Sequence, residues 1–564
     1  MSEQHGEHGE WPLRPWVLAG LLGFAGLMIY LFAGEAGPDT RVGWRAAAAA
    51  FFFFGGIALA FTLDRDRWRG PAIFAGLAGL VMAGLAWRAV GAGDSLPDPE
   101  YGFMAGVLAT GLALPLFQAG FHRTRWATPY RAIHHHVWTD AICAAGSLAF
   151  VGASWLLLLL LSELFRLLKI DLLRDLIDNA WFGWTWSGAA FGAALGVLRN
   201  EIGILSTLKR VVMVVLSILA VPLAVGLLLF LVAMVLSGPE VLWAATRNAT
   251  PILLLCAAGA WVLANAIVRD DDAEISANRP LRAAALVLTL VVLPLTVFAA
   301  ISLGTRVSQH GLSPERLWGL VAIAVATAYG LAWFVGVLRG WRSGGWRENV
   351  RRANLHLAVV ISGVALLLAL PILDFGAIST RDQLARLERG KVDAKDFDYS
   401  ALRWDFGDAG RRALARLERS DDREVAKLAG EAMRQTSRVW PGSPSPAEMD
   451  LRVQPADPAL EQLARDWLRQ NPWACSETCV VLELGDAPAG KRRVAVINGP
   501  GYQEILLPSE GRAIEMAPAQ PAVTLRPDSK VELRTFERRY ITVDGVPIGQ
   551  PIDDSRVVAP RPPR

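Results

Sequence analysis

Eleven stretches of the chain are apolar over a length that matches, or nearly matches, the hydrocarbon core of a bilayer: about 16–32, 46–63, 71–87, 102–120, 141–162, 181–198, 211–236, 250–268, 281–303, 317–338 and 355–373. A helix rises about 1.5 Å per residue, so roughly 20 apolar residues cross roughly 30 Å of hydrocarbon. Inside lipid only helices and closed barrels satisfy their own backbone groups. Eleven such runs therefore predict a mainly α protein, a multi-pass transmembrane helical bundle over residues 1–375. Composition agrees: 53% of the 564 residues are hydrophobic and 19% charged, against about 45–50% and about 25% in soluble proteins. The first run follows Glu3, Glu7 and Glu10 with only Arg14 beside them. A secretory signal would begin basic, and ten further runs follow, so it reads as an uncleaved span.

Basic residues in short loops orient a bundle of this kind. Loops on the N-terminal side carry eighteen Lys and Arg, among them Arg67, Arg69, Arg123, Arg199, Lys209 and Arg210, whereas the opposite loops carry nine. That bias places the N-terminus in the cytoplasm. An odd span count then places everything after residue 375 on the far side of the membrane. The overall charge of +3 gives no support for a nucleic-acid partner. The expected partners are the lipid bilayer and an envelope protein reached through residues 376–564.

That C-terminal region reads as soluble α+β. A helical segment covers 376–437, with Thr380 and Gln383 resembling a capping box and Gly390 as a stop. Residues 438–456, including Pro441, Pro444 and Pro446, read as a linker. A small domain over 457–550 opens with a helix near 458–470 and continues with strands at Val480–Leu484, Arg492–Ile497, Tyr502–Leu507 and Val531–Val543. A Pro-rich tail fills 551–564. Cys475 and Cys479 are separated by three residues, not the two of a redox motif, and all eight histidines precede residue 357. With zinc ligands of the usual kind missing, a structural disulfide is the remaining reading.

Several patterns resemble a known family. They are the run from His134-His135-His136 through Gly196-Val197-Leu198-Arg199, the loop Gln309-His310-Gly311-Leu312-Ser313-Pro314-Glu315-Arg316-Leu317-Trp318, and Gln383-Leu384-Ala385-Arg386-Leu387 with Gly390-Lys391-Val392. Together they resemble the bacterial membrane family known as domain of unknown function 4153, up to about residue 420. The resemblance implies a polytopic inner-membrane protein and supplies no catalytic residues.

Functional residues are sparse. No ionisable side chain falls at a span midpoint, which argues against proton-coupled transport. Asn265 reads as an interhelical hydrogen-bonding residue. Pro222 and Pro294 lie mid-span, as kinks or as the broken backbone of a binding site. Gly188, Gly192 and Gly196 recur every four residues, spacing that lets a neighbouring helix approach closely. His136 and Asp140 share a helix face, and His122 lies across a loop, so a two-histidine-plus-carboxylate metal site is one reading; a histidine-rich segment among headgroups is the other. Asp171, Arg174, Asp175 and Asp178 read as the polar face of an interfacial helix over 164–180, and Asp270, Asp271, Asp272 and Glu274 as a solvated acidic loop. Neither a nucleophile elbow nor a phosphate-binding Gly-Lys loop occurs. No catalytic residue and no cofactor is expected. The resulting expectation is a non-enzymatic envelope protein whose bundle anchors a periplasmic interaction or sensing module. A transporter or flippase for a lipid-like substrate, and an interfacial membrane enzyme, are the alternatives.

Overall fold

The computed structural model describes residues 11–33, 42–238, 249–272, 278–435, 438, 450–471, 474–475, 478–484, 491–498, 501–508, 514–515, 539–543 and 546–552. The Pro-rich linker core at 440–446, the first part of the Val531–Val543 strand and nearly all of the tail lie outside them. The chain divides into two compact units, one holding residues up to 389 together with 405–412, the other holding 390–404 and everything from 413.

The first unit is a helical bundle. Its helices are α1 (Arg14–Ala33), α2 (Gly43–Thr62), α3 (Arg69–Gly91), α4 (Pro99–Gln118), a short α5 (Phe121–Thr124), α6 (Tyr130–Leu167), a short α7 (Leu172–Ile177), α8 (Ala180–Asn200), α9 (Ile202–Ser237), α10 (Ala249–Val268), α11 (Arg279–His310), α12 (Pro314–Gly340), α13 (Trp346–Ala369) and α14 (Phe375–Glu388). Ten of these are long and apolar enough to cross a membrane. Their outer faces carry Ile73, Leu77, Leu80, Leu156, Leu160, Ile218 and Leu229, each about half exposed or more. A surface of that kind is stable only against lipid.

The eleventh expected span, α8, falls short on hydropathy rather than length, because Trp181, Trp184 and Trp186 fill its first turns. Its packing is that of a bundle member. A Cβ at Gly188 would lie 2.2 Å from the Leu22 carbonyl oxygen, one at Gly192 2.1 Å from that of Leu18, and one at Gly196 2.5 Å from Pro15 Cα. Rising residue numbers on α8 meet falling numbers on α1, so the two helices run antiparallel along most of their length. Small residues fill the other helix contacts as well: Ala257, Ala260 and Ala264 on α10 pack with Ala284, Ala285 and Ala299 on α11 in one buried cluster. Both α9 and α11 run unbroken through Pro222 and Pro294.

Two local readings change. Residues 164–167 continue α6, so the interfacial helix shrinks to α7, whose Arg174 reaches Glu163 at 3.7 Å and Asp178 at 3.9 Å. Helix α14 opens at Asp374, whose carboxylate accepts from Ala377 N at 2.9 Å. Thr380 lies inside the helix and donates to the Gly376 carbonyl. Gln383 is therefore free of capping, and it joins two of the quoted family patterns. Its Nε2 donates to the His310 and Leu312 carbonyls, both at 2.9 Å; Asp382 accepts from Leu312 N at 2.7 Å; Arg386 donates to the Ser308 and Gln309 carbonyls. Gly311 adopts φ 74°, and a side chain there would strike Gln383, Arg386 and Asp382. The loop is shaped to receive this helix.

The second unit holds α15 (Tyr399–Trp404), the last five residues of α16 (Gly407–Leu417), α17 (Arg423–Met433) and α18 (Pro458–Gln470), with a five-stranded sheet in the order β1 (Asp450–Gln454), β2 (Thr478–Glu483), β3 (Lys491–Asn498), β4 (Gly501–Pro508), β5 (Ile514–Glu515). Strand β1 lies inside the segment read as linker, where it pairs parallel with β2; the other neighbours are antiparallel. A hairpin of β6 (Arg539–Val543) and β7 (Val546–Ile552) completes the unit. Leu460, Ala464 and Leu468 of α18 pack on Val481, Val494, Val496 and Ile505, and the Cys475–Cys479 disulfide is buried among them. Arg492 bridges Glu483 and the α18 cap residue Asp457.

Candidate functional site

Chain direction alternates through the bundle, and the ends of eight long helices meet around one cavity of about 1510 Å³. The starts of α1, α3, α6 and α9 contribute Arg14, Arg69, His134–Asp140 and Lys209–Arg210; the ends of α2, α4, α8 and α10 contribute Thr62, Gln118, Arg199 and the following Arg269 and Asp270. Arg67 comes from the α2–α3 connection and Arg123 from the short α5. Eight Lys and Arg therefore face four Asp. Such an excess of positive charge at the mouth of low-dielectric walls favours anions.

Some of that charge is structural. The last carbonyls of a helix have no partner within it. Arg199 donates to the Ala60 carbonyl at 2.6 Å and the Leu63 carbonyl at 3.3 Å, closing the end of α2. Arg14 donates to the Arg199 carbonyl and to Asn200 Oδ1, each at 3.0 Å. Gln118 ties the Phe61 carbonyl, at 3.0 Å, to Asp140 Oδ1 at 3.3 Å. The other oxygen of Asp140 is buried without a hydrogen-bond partner among the described residues.

The deep wall is formed by His134. It is 5% exposed, and neither ring nitrogen has a hydrogen-bond partner. The Asp270 carboxylate lies 3.9 Å from its Nδ1, and Arg131 lies 3.7 Å from the other Asp270 oxygen. Behind His134, Tyr130 and three helices share a polar knot. Asn354 Nδ2 donates to Asn265 Oδ1 at 2.7 Å and to Tyr130 Oη at 3.3 Å, and the buried Trp333 indole donates to Asn354 Oδ1 at 2.8 Å. Arg351, 5% exposed, closes the end of α10 by donating to the Val268 and Arg269 carbonyls, and it reaches Asp272 at 2.8 Å. Hydrogen bonds from Arg347 and then Arg351 hold the Asp272 carboxyl below its usual range. Of the loop expected to be solvated, Glu274 lies outside the described residues, whereas the Asp270 side chain is buried beside Arg131 of α6 and Asp272 is paired with Arg347 and Arg351 of α13.

The three residues expected to share a metal all line this cavity. His122, however, stacks on Phe117 with ring centroids 4.9 Å apart, His136 packs against His135 at 5.6 Å, and Asp140 is held by Gln118. Among the described residues no group of three or more His, Cys, Asp or Glu side chains is close enough to hold a metal ion. Successive helical residues point about 100° apart, so only one histidine of the triplet turns fully inward. That residue is His134, read from the sequence only as part of a histidine cluster; Asp270 was read as part of a solvated loop, and Lys209 and Arg210 as orienting charges, none of them as lining a shared cavity.

A smaller cavity of about 160 Å³ occupies the opposite end of the bundle, between the end of α3, the start of α4 and the end of α13, and it includes Asp98. From Arg69 to Arg88 on α3 the two ends are about 28 Å apart, close to a hydrocarbon core. Burial, reinforced by Glu100, Glu315 and Asp405, pushes the Asp98 carboxyl up to about 6. The fold thus favours the neutral acid. Its contribution is full below pH about 4 and is lost as pH rises towards 6. Asp98 also sits at φ 45°, a conformation asparagine tolerates. Asp98→Asn should therefore raise the unfolding temperature of the detergent-solubilised protein at pH 8, by a gain of about 1 kcal/mol after solvent screening, and by about half as much at pH 5.

The family model described as Domain of unknown function (DUF4153) matches residues 48–417. No curated protein and no solved structure matches the chain.

Proposed function

The chain belongs to the DUF4153 family, and on that premise we propose that it is a non-enzymatic bacterial inner-membrane protein with a ligand-binding cytoplasmic end and a periplasmic C-terminal module. One observation carries this reading: the two ends of the bundle are built differently. One end is a wide basic cavity, and the other grips α14 through the loop at 308–312 and so fixes where the chain leaves the bundle. The positive-inside tendency assigns the basic end to the cytoplasm. Counting α8 as a span, which its antiparallel contact with α1 supports, gives eleven crossings and puts residues beyond 389 in the periplasm. A buried disulfide in the second unit suits an oxidising compartment. The module is then the surface offered to an envelope partner, and the bundle is its anchor and ligand sensor.

Reporter fusions test this directly. A fusion after residue 200 should be active as a cytoplasmic marker, and one after residue 389 as a periplasmic marker. Matching sidedness of fusions after residues 170 and 200 would remove α8 as a span, and a cytoplasmic readout after residue 389 would remove the periplasmic module. The cavity also favours a second reading, a carrier for a lipid-like anion. That version requires the cavity's ligand to appear in the opposite leaflet in a reconstituted vesicle assay.

A further inference from the structure

We propose that the basic cavity is a binding site for a phosphate group, a phosphomonoester or a pyrophosphate, presented by a lipid headgroup or by a soluble molecule. This rests on reading the cavity as the ligand-binding end, and not on which side of the membrane that end faces. Six of the eight cations fall into two sets. Arg14 and Arg199 are committed to backbone carbonyls. Arg67, Arg123, Lys209 and Arg210 have no carboxylate partner among the described residues and line the same space. They come from three separate parts of the chain, so no local helix rule explains their convergence. A phosphate carries up to two charges and three acceptor oxygens, and it can be reached by several such donors at once. A carboxylate offers only two oxygens to the same ring of donors.

His134 supplies the independent sign of a ligand. It is 5% exposed and lines the cavity with neither ring nitrogen hydrogen-bonded. A buried polar side chain is ordinarily satisfied, and a neutral imidazole can give its N–H to a phosphate oxygen. Size argues in the same direction. About 1510 Å³ exceeds the roughly 300–1,000 Å³ of an ordinary small-molecule pocket and leaves room for a glycerol or longer body attached to the phosphate. Basic recesses between membrane helices at the headgroup level are suited to such lipids.

The test uses the full chain in a neutral detergent, titrated calorimetrically with phosphatidic acid, with phosphatidylcholine and with inorganic pyrophosphate. Saturable binding of phosphatidic acid, absent with phosphatidylcholine, is the expected result and assigns a lipid source. Binding of pyrophosphate alone also supports the site and assigns a soluble source. The Lys209→Gln, Arg210→Gln double variant should bind at least about tenfold more weakly, whereas Lys209→Arg with Arg210→Lys should stay within about threefold. Arg339→Gln with Arg342→Gln, exposed cations outside the cavity lining, should bind like the unaltered protein. Unchanged elution volume and unfolding temperature establish that the variants are folded. The proposal is overturned if neither phosphate probe binds more tightly than phosphatidylcholine, or if the two glutamine pairs weaken binding equally. Reversed reporter sidedness would move the site to the other face of the membrane and leave these titrations unchanged.

Discussion

Replacing Gly192 with valine should leave little folded protein in the membrane fraction, while Gly20→Val should be recovered at the normal level. The difference lies in what each new Cβ meets. At Gly192 it would lie 2.1 Å from the Leu18 carbonyl oxygen, 2.5 Å from the carbonyl carbon and 2.9 Å from Ala19 N; at Gly20 there is nothing within 4 Å. The obstruction is main chain, so no rotamer change relieves it and α1 itself has to move away. Overfilling a core costs about 1–3 kcal/mol when side chains can yield, and a backbone contact belongs at or above the top of that range. The displacement also acts at a distance. Gly188 and Gly196 repeat the contact one turn to either side, and a Cβ at Gly26 would lie 2.2 Å from the Trp184 carbonyl oxygen. Separating α1 from α8 would pull Arg14 away from the Arg199 carbonyl and Asn200, opening one wall of the basic cavity. Fluorescence-detected size-exclusion chromatography of tagged variants reads the outcome. A monodisperse Gly192→Val peak at normal height would mean that the α1–α8 contact does not carry the bundle.

That contact was legible because spacing alone encodes it: three small residues, four apart, can only present one face. The spans were legible for a similar reason, since hydrocarbon thickness imposes their length. Hydropathy alone leaves out α8, where Trp181, Trp184 and Trp186 dilute a helix whose small-residue face packs against α1. What the sequence hides is convergence. Arg14 and Asp270 are neighbours of one cavity across more than 250 residues of chain, and nothing local to either announces the other. The His134–His136 triplet drew attention as a metal candidate, yet which histidine turns inward is decided by the end of α10, where Asp270 lies. Local capping rules also competed. Thr380 and Gln383 fit a capping box, but Asp374 caps the helix six residues earlier, and Gln383 is used to hold the 308–312 loop. The strand β1 was read as linker because proline and serine dominate the segment before it, while its pairing partner β2 begins more than twenty residues later.

Asn354→Leu should destabilise the bundle by about 2 kcal/mol or more, and the loss should shrink when Asn265 is changed to leucine as well. Asn265 was recognisable in the sequence as a polar residue inside a span; its partner, near the start of α13, was not. In the structure the Asn354 amide accepts from the Trp333 indole and donates to Asn265 Oδ1 and Tyr130 Oη. Trp333 is 0% exposed, so its N–H has no water to turn to once Asn354 is gone. Leaving a buried donor or acceptor unsatisfied costs about 1–3 kcal/mol each, whereas removing both partners of a bond is far milder. Interhelical hydrogen bonds in membranes often contribute less than 1 kcal/mol, because a separated helix finds other partners. Here the knot joins α6, α10, α12 and α13, and one substitution strands the Trp333 N–H and takes a donor from Asn265 and Tyr130, which keep only their own bond at 3.4 Å. Thermal unfolding of the single and double variants in detergent forms a double-mutant cycle. Coupling of about 1 kcal/mol or more is expected between positions 265 and 354, and strictly additive losses would show that the two amides act independently. Because Tyr130 stands directly behind His134, with ring centroids 5.6 Å apart, Asn354→Leu should also weaken ligand binding in the cavity. The knot then serves as the rigid floor that keeps His134 facing the cavity.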